Sequence, residues 1–231
     1  MLKPLRQAWG DIDRDLRPLY LALEPYVVFL FAGVAIGLQV LVPSNVTPDT
    51  NIWLPSVEFA LFVVVIILSF LSIHQKIGEM AARRITIAFI ALMAIATVWS
   101  LGTVIDQLLA GKVHDGRDLI LAGLKLLGTL VIVYALAYWE LDRGGPHARR
   151  FDHERFKHLQ FPQDEQPEAM GRQWVPTFID YLYVSITNST AFSPTDTMPL
   201  THIAKIMMGS QGVISLATIG LVFARAVNIL K

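Results

Sequence analysis

Five apolar runs constrain this chain more than anything else in it. They cover residues 26–42, 53–73, 85–109, 119–141 and 203–230. Each approaches or exceeds the roughly 20 residues a helix needs to cross a hydrocarbon layer of about 30 Å. Lipid offers no partner to a backbone N–H or C=O, so such runs fold as helices that satisfy those groups internally. Composition points the same way. Of 231 residues, 54% are hydrophobic and 16% charged, well under the quarter usual for a soluble domain.

The remaining composition mostly excludes functions. There is no cysteine, which removes disulfides, thiolate chemistry and cysteine-based metal centres. Net charge is zero, so nothing draws the chain to nucleic acid. No phosphate-binding loop, nucleophile elbow, dinucleotide fingerprint or paired-carboxylate motif is present. The expectation is a protein that is not an enzyme and uses no cofactor or metal, with the lipid bilayer as its first partner. The first apolar run opens at Tyr26 after a segment bearing Arg and Asp, without a short apolar core or cleavage site. It is read as a retained span.

The chain divides into four parts. Residues 1–25 read as an interfacial amphipathic helix: Leu5, Trp9, Ile12, Leu16 and Tyr20 recur at spacings of three and four, with Arg6, Asp13, Arg14 and Arg17 on the other faces. Pro18 is a candidate kink. Residues 26–141 form a four-helix transmembrane region. Residues 142–173 are a charged surface loop, and residues 174–231 hold a short helix, a polar loop and the last span. Lys3, Arg6, Arg14, Arg17, Lys76, Arg83, Arg84, Arg143, Arg149, Arg150, Arg155, Lys157 and Arg172 fall on one side of this arrangement. Lys112 and Arg117 fall on the other. The first side, with the N-terminus, is therefore expected to be cytoplasmic.

The stretch 182–201, LYVSITNSTAFSPTDTMPLT, is too polar for a lipid-facing helix yet lies next to the last apolar run. Its layout is a short helix, a loop of Thr, Ser and Pro, an Asp, and then a spanning helix. It resembles the pore region of two-helix potassium channels, which runs roughly LYFSxxTxTTVGYGDxxPxT. Leu182, Tyr183, Ser185, Thr190, Asp196, Pro199 and Thr201 match without a gap. Where that family has TVGYG, this chain has Ala191-Phe192-Ser193-Pro194-Thr195, and both filter glycines are missing. Glycine allows the backbone angles that aim successive carbonyls at an ion. Ser193 and Thr195 resist those angles, and Pro194 fixes its own. The resemblance implies a filter-like segment formed by Thr190, Ala191, Phe192, Ser193, Pro194, Thr195 and Asp196. It also implies an inner helix with Gly209 or Gly212 as a hinge, and a homotetramer passing monovalent cations. The competing reading of the same loop is a broken helix packed inside the fold, with Asp196 capping the last span. Two further strings, YWELDRGGP and TAFSPTDTMPL, resemble an uncharacterised family of bacterial multi-pass membrane proteins. That resemblance implies the bacterial inner membrane.

Three ionisable residues fall inside apolar runs at one common depth: Glu58, Asp106 and Lys125. Charge inside a bilayer needs a partner. They read as a buried charge cluster, either a static ion pair or a proton relay. In the last run, Gly209, Gly212 and Gly220 offer close helix packing. The fold class expected is an all-α integral membrane protein with five strongly apolar transmembrane helices, plus a short pore-like helix and loop before the last one. The function expected is a channel-like ion conductor for cations with non-standard selectivity. The alternatives are a non-conducting structural or partner-binding membrane protein with a degenerate pore fold, or a proton-coupled transporter using the buried charges.

Overall fold

The computed structural model describes residues 3–40, 53–73, 79–111, 116–151, 156–165, 174–190 and 196–229. Long helices come first: α1 (Lys3–Val40), α2 (Trp53–Ile73), α3 (Glu79–Leu109) and α4 (Gly116–Leu141). A short linker region comes next, with a 3-10 turn (Asp142–Gly144), α5 (Pro146–Phe151), β1 (Leu159–Gln160) and α6 (Pro162–Glu165). Then come α7 (Phe178–Thr190), β2 (Met198–Pro199) and α8 (His202–Ile229). Among the described residues, four segments are long and apolar enough to cross a membrane: Ala22–Val40, Arg83–Leu108, Gly116–Gly144 and His202–Val222.

The helix α1 differs from the expected pair of segments. It runs unbroken through Pro18 and Pro25 for 38 residues. No kink at Pro18 divides an interfacial piece from a span.

The centre of the bundle is α4. Of its most apolar stretch 56% is buried, against 28–33% for the corresponding stretches of α1, α3 and α8. The sequence explains why. Leu119, Ala122, Leu126, Leu130 and Val133 are buried on one stripe, while Thr129, Ile132, Ala135, Leu136 and Tyr138 are buried around it. A helix that is apolar on most sides is one that is covered on most sides. Helices α1, α3, α7 and α8 all pack on it.

Two apolar clusters mark the two ends. The larger joins Ala32, Ala35, Met93, Leu136, Tyr138, Phe178 and Tyr181. The smaller joins Leu101, Val104, Leu119, Ala122 and Val222 at the other end. There α4 and α8 touch closely at Gly123, where an added Cβ would lie 2.5 Å from Val222 Cγ1. Gly209, Gly212 and Gly220, expected at a hinge or at close packing, make no such approach within one copy. A Cβ added at any of them meets nothing within 4 Å, so the close approach is made by a glycine of α4 instead.

Several contacts fix which chain segments share an end. Arg83, near the start of α3, bonds Glu140 at the end of α4 through Nε at 2.8 Å. Glu24 of α1 accepts from Trp139 Nε1 at 2.8 Å and from the Phe178 backbone N–H at 3.0 Å. The linker and the start of α7 therefore lie together, and the contact of His158 with Thr201 brings the start of α8 there too. We call this the linker end.

The linker is not a solvated loop over its described residues. Asp142, Arg143, Arg149, Leu159 and Phe161 are all buried. The chain reverses sharply through Arg143, Gly144 and Gly145, with φ of 53°, 77° and 93°. At Gly145 a Cβ would also come within 2.9 Å of Glu140 Oε1, so glycine is needed twice over.

Candidate functional site: a short helix held inside the bundle

The local sequence starts α7 decisively. Thr177 and Asp180 form a capping box, in which the residue three positions on reaches back to the cap. Asp180 Oδ2 accepts the Thr177 N–H at 2.7 Å and the Thr177 hydroxyl at 2.9 Å. Burial raises the Asp180 carboxyl above its ordinary range, and the Thr177 contacts draw it back. Glu24 adds a second carboxylate at the same terminus, where free N–H groups favour negative charge.

From there α7 carries polar groups inward. Phe178, Tyr181, Val184, Ser185, Asn188 and Ser189 are buried, at successive spacings of three and one along a single face. Its inner half meets Gln211 of α8, which is fully buried. Gln211 Nε2 lies 2.7 Å from Ser185 Oγ, 2.7 Å from Ser189 Oγ and 3.0 Å from the Ser185 carbonyl. Gln211 Oε1 accepts from Tyr138 Oη at 2.6 Å and Asn188 Nδ2 at 2.9 Å. Asn188 also donates to the Met208 carbonyl, and Ser185 to the Val131 carbonyl. Beside them Tyr134 Oη lies 2.8 Å from Ser210 Oγ. One amide thus ties three helices through uncharged groups. Each is satisfied, as buried polar groups must be.

At the linker end α7 meets ions instead. Asp142 is the hub. Its Oδ1 accepts the backbone N–H of His158 at 2.8 Å and of Leu159 at 3.2 Å. Its Oδ2 accepts Tyr181 Oη at 2.7 Å and lies 3.2 Å from Arg143 Nε. Arg143 continues to Asp164 at 2.7 Å, and Asp164 to Lys157 at 2.8 Å. Arg149 is fully buried. It donates to the Trp139 and Asp142 carbonyls, and its guanidinium lies over the Tyr181 and Trp139 rings. A cation at the last carbonyls of α4 complements that helix's negative end.

The two strands close the arrangement. The chain leaves β1, runs through α6 and α7, and returns as β2, which pairs antiparallel with β1. Leu159 faces Pro199 and Gln160 faces Met198. Thr201 then caps α8: its Oγ1 accepts the Ala204 N–H at 3.2 Å and lies 2.9 Å from His158 Nδ1. That corrects the capping role expected of Asp196, which is six residues ahead of the first helical residue, His202.

The expected site residues are dispersed. Thr190 is the last residue of α7, exposed, and donates to the Ile186 carbonyl. Ala191, Phe192, Ser193, Pro194 and Thr195 lie outside the described residues. Asp196 is exposed and lines a pocket of about 350 Å³ with Gln160, Glu165 and Thr197. Glu58 is fully buried, and among the described residues neither carboxylate oxygen meets a hydrogen-bond partner. Asp106 is exposed on α3, beside Trp99 and Gly102 in an open cleft of about 630 Å³. Lys125 is half-buried on α4.

Sequence reasoning missed Gln211, Glu24, Asp142 and Arg149. Gln211 carried a usable signal, since a strongly polar amide inside an apolar run marks a buried contact. The pattern Thr177-x-x-Asp180 was equally readable as a helix start.

The chain is thus a mostly helical protein with the build of a multi-span membrane protein. Comparison with protein families, curated proteins and solved structures finds no match to it.

Proposed function

We propose that this chain is a channel-like conductor of monovalent cations, with α7 and residues 191–196 as a re-entrant hairpin. One observation carries the reading: β1 and β2 pair on either side of α7, so the excursion starts and finishes at the linker end. At 13 residues, α7 is about 20 Å long and too short to cross. In this reading helix α2, with 21 residues, is the fifth span, packed on α1 and α3. Irregular backbone at membrane depth is tolerated where it is buried in protein or lines water.

The linker end also carries Arg83, Arg84, Arg143, Arg149 and Lys157. By the charge rule that end is cytoplasmic. The hairpin then dips in from the cytoplasm, opposite in sense to a potassium-channel pore loop. Copies of the chain assemble around residues 190–196, and the membrane is a bacterial inner membrane. Without glycine at Ser193 and Thr195 a stacked carbonyl cage is disfavoured, so hydroxyls and partly hydrated ions take its place.

A second reading has its own support. The inward polar groups of α7 are consumed by Gln211, as in a non-conducting fold that keeps the hairpin for its architecture. Purified protein in liposomes separates the two. Cation flux with poor potassium-over-sodium preference, altered by Thr190→Ala and Asp196→Asn, is expected of the conductor. A well-folded oligomer that passes no ion at any voltage or pH would leave the architectural reading. Single cysteines in this cysteine-free chain test the orientation: His158→Cys should resist an impermeant thiol reagent in intact cells.

A further inference from the structure

The helix α1 is longer than a bilayer requires. Its 38 residues extend about 57 Å, against about 30 Å of hydrocarbon. Its apolar stretch is Ala22–Val40, and Glu24 is anchored at the linker end by Trp139 and Phe178. The segment before residue 22 therefore projects from that end, about 28 Å if straight.

That projection is not uniformly polar. Leu5, Trp9, Ile12, Leu16, Leu19, Leu23, Tyr26 and Leu30 succeed each other at alternating spacings of four and three. On the continuous helix these positions fall on one backbone stripe. Where side chains are described the stripe is open: Leu19 is 53% exposed, Leu23 44%, Tyr26 70% and Leu30 64%. An alternating repeat averages 3.5 residues, shorter than the 3.6 of a straight helix, and it is the repeat that suits a second helix supercoiling alongside. The small mismatch turns the stripe slowly around the helix. By Gly33 it has reached α2, where an added Cβ would meet the Phe62 ring at 3.7 Å.

We propose that residues 5–30 of α1 form one strand of a parallel coiled coil with the same helix of a second copy of this chain. A shared membrane fixes the geometry. Two copies inserted the same way present the same stripe at the same height, so the contact is self-complementary and parallel. The flanking charges permit it. Across a parallel seam Ala8 meets Asp13, and Asp15 meets Tyr20, so no like charges oppose each other. Because the stripe passes uninterrupted from the span into the projecting part, lipid covers at most its lower half. The inference does not depend on ion conduction.

The chain's lack of cysteine makes the test direct. Full-length Leu16→Cys and Leu19→Cys proteins, in membranes under mild oxidation, should give disulfide-linked dimers. Arg14→Cys, on the opposite face, should give at least fivefold less. Adding Ile12→Asp to Leu19→Cys should reduce its cross-linked dimer at least fivefold, while thermal unfolding of the bundle stays unchanged. Equal cross-linking at all three positions would mean random collision and would overturn the proposal. So would no cross-linking at 16 and 19 together with quenching of Trp9 fluorescence by brominated lipids, since the stripe would then lie on the membrane surface.

Discussion

The two ends of α7 are held by opposite kinds of chemistry. At the linker end an ionic cluster of Asp142, Arg143, Arg149, Asp164 and Lys157 meets it at Tyr181, whose hydroxyl donates to Asp142 and whose ring lies under the Arg149 guanidinium. Along its inner half Gln211, Asn188, Ser185, Ser189 and Tyr138 hold it with neutral amides and hydroxyls. Both groups are buried or nearly so, except for Lys157, which lies at the rim. What separates them is the depth at which failure would occur. An ion pair buried on both sides that loses one member strands a charge, which is severe and worst in a bilayer. An amide that loses one partner strands a dipole. The chain places the costlier chemistry where water is near and the cheaper chemistry inside.

Substitutions can break that contrast. The largest effect is expected from Asp142→Ala. It removes the acceptor of two backbone N–H groups and of Tyr181, and it leaves Arg143 buried. A loss of about 3–5 kcal/mol is the usual result of halving a buried pair. It would show as a lower midpoint of thermal unfolding in detergent. A loss under about 1 kcal/mol would mean that the ionic cluster is not what anchors the linker.

Gln211→Leu should come next, at about 1–3 kcal/mol. It leaves Tyr138, Asn188, Ser185 and Ser189 each short of a partner. Helix contacts within bilayers average nearer about 0.6 kcal/mol per pair, so a double-mutant cycle with Asn188→Leu should return a modest coupling. A loss equal to that of Asp142→Ala would erase the distinction between the two ends.

The smallest effect belongs to Arg83→Ala. Its side chain is 41% exposed although Glu140 beside it is buried. Water screens the Arg83 side of the pair, so a change of about 0–1 kcal/mol is expected from the same unfolding measurement. A loss above about 3 kcal/mol would place Arg83 among the buried cluster.

Legibility in the sequence depends on how local each signal is. The long helices are written in consecutive residues, because hydropathy over about 20 positions decides them. The start of α7 is written in four, from Thr177 to Asp180. Pro18 is a breaker on average, whereas here the helix continues past it. Partnerships were not readable. Glu24 and Trp139 are 115 positions apart, and Asp142 finds Tyr181 39 positions later. Nothing in either neighbourhood names the other. Glu58, Asp106 and Lys125 share a depth in the sequence, but depth alone does not fix direction. Glu58 turns into the bundle and Asp106 turns out of it.

The β1–β2 ladder has a mechanical consequence. It is a clasp of two residues on each strand closing a ring of chain that contains α6 and α7. Clasps this short open far more often than bundles unfold. When it opens, α7 is still fastened through Gln211 and Glu24, but Met198 and Pro199 are released from the linker, and the cap at Thr201 loses its neighbour. Amide hydrogens at Gln160 and Met198 should then exchange with solvent well before those at Leu136 or Val184. The start of α8 is accordingly the place where this otherwise rigid bundle has slack.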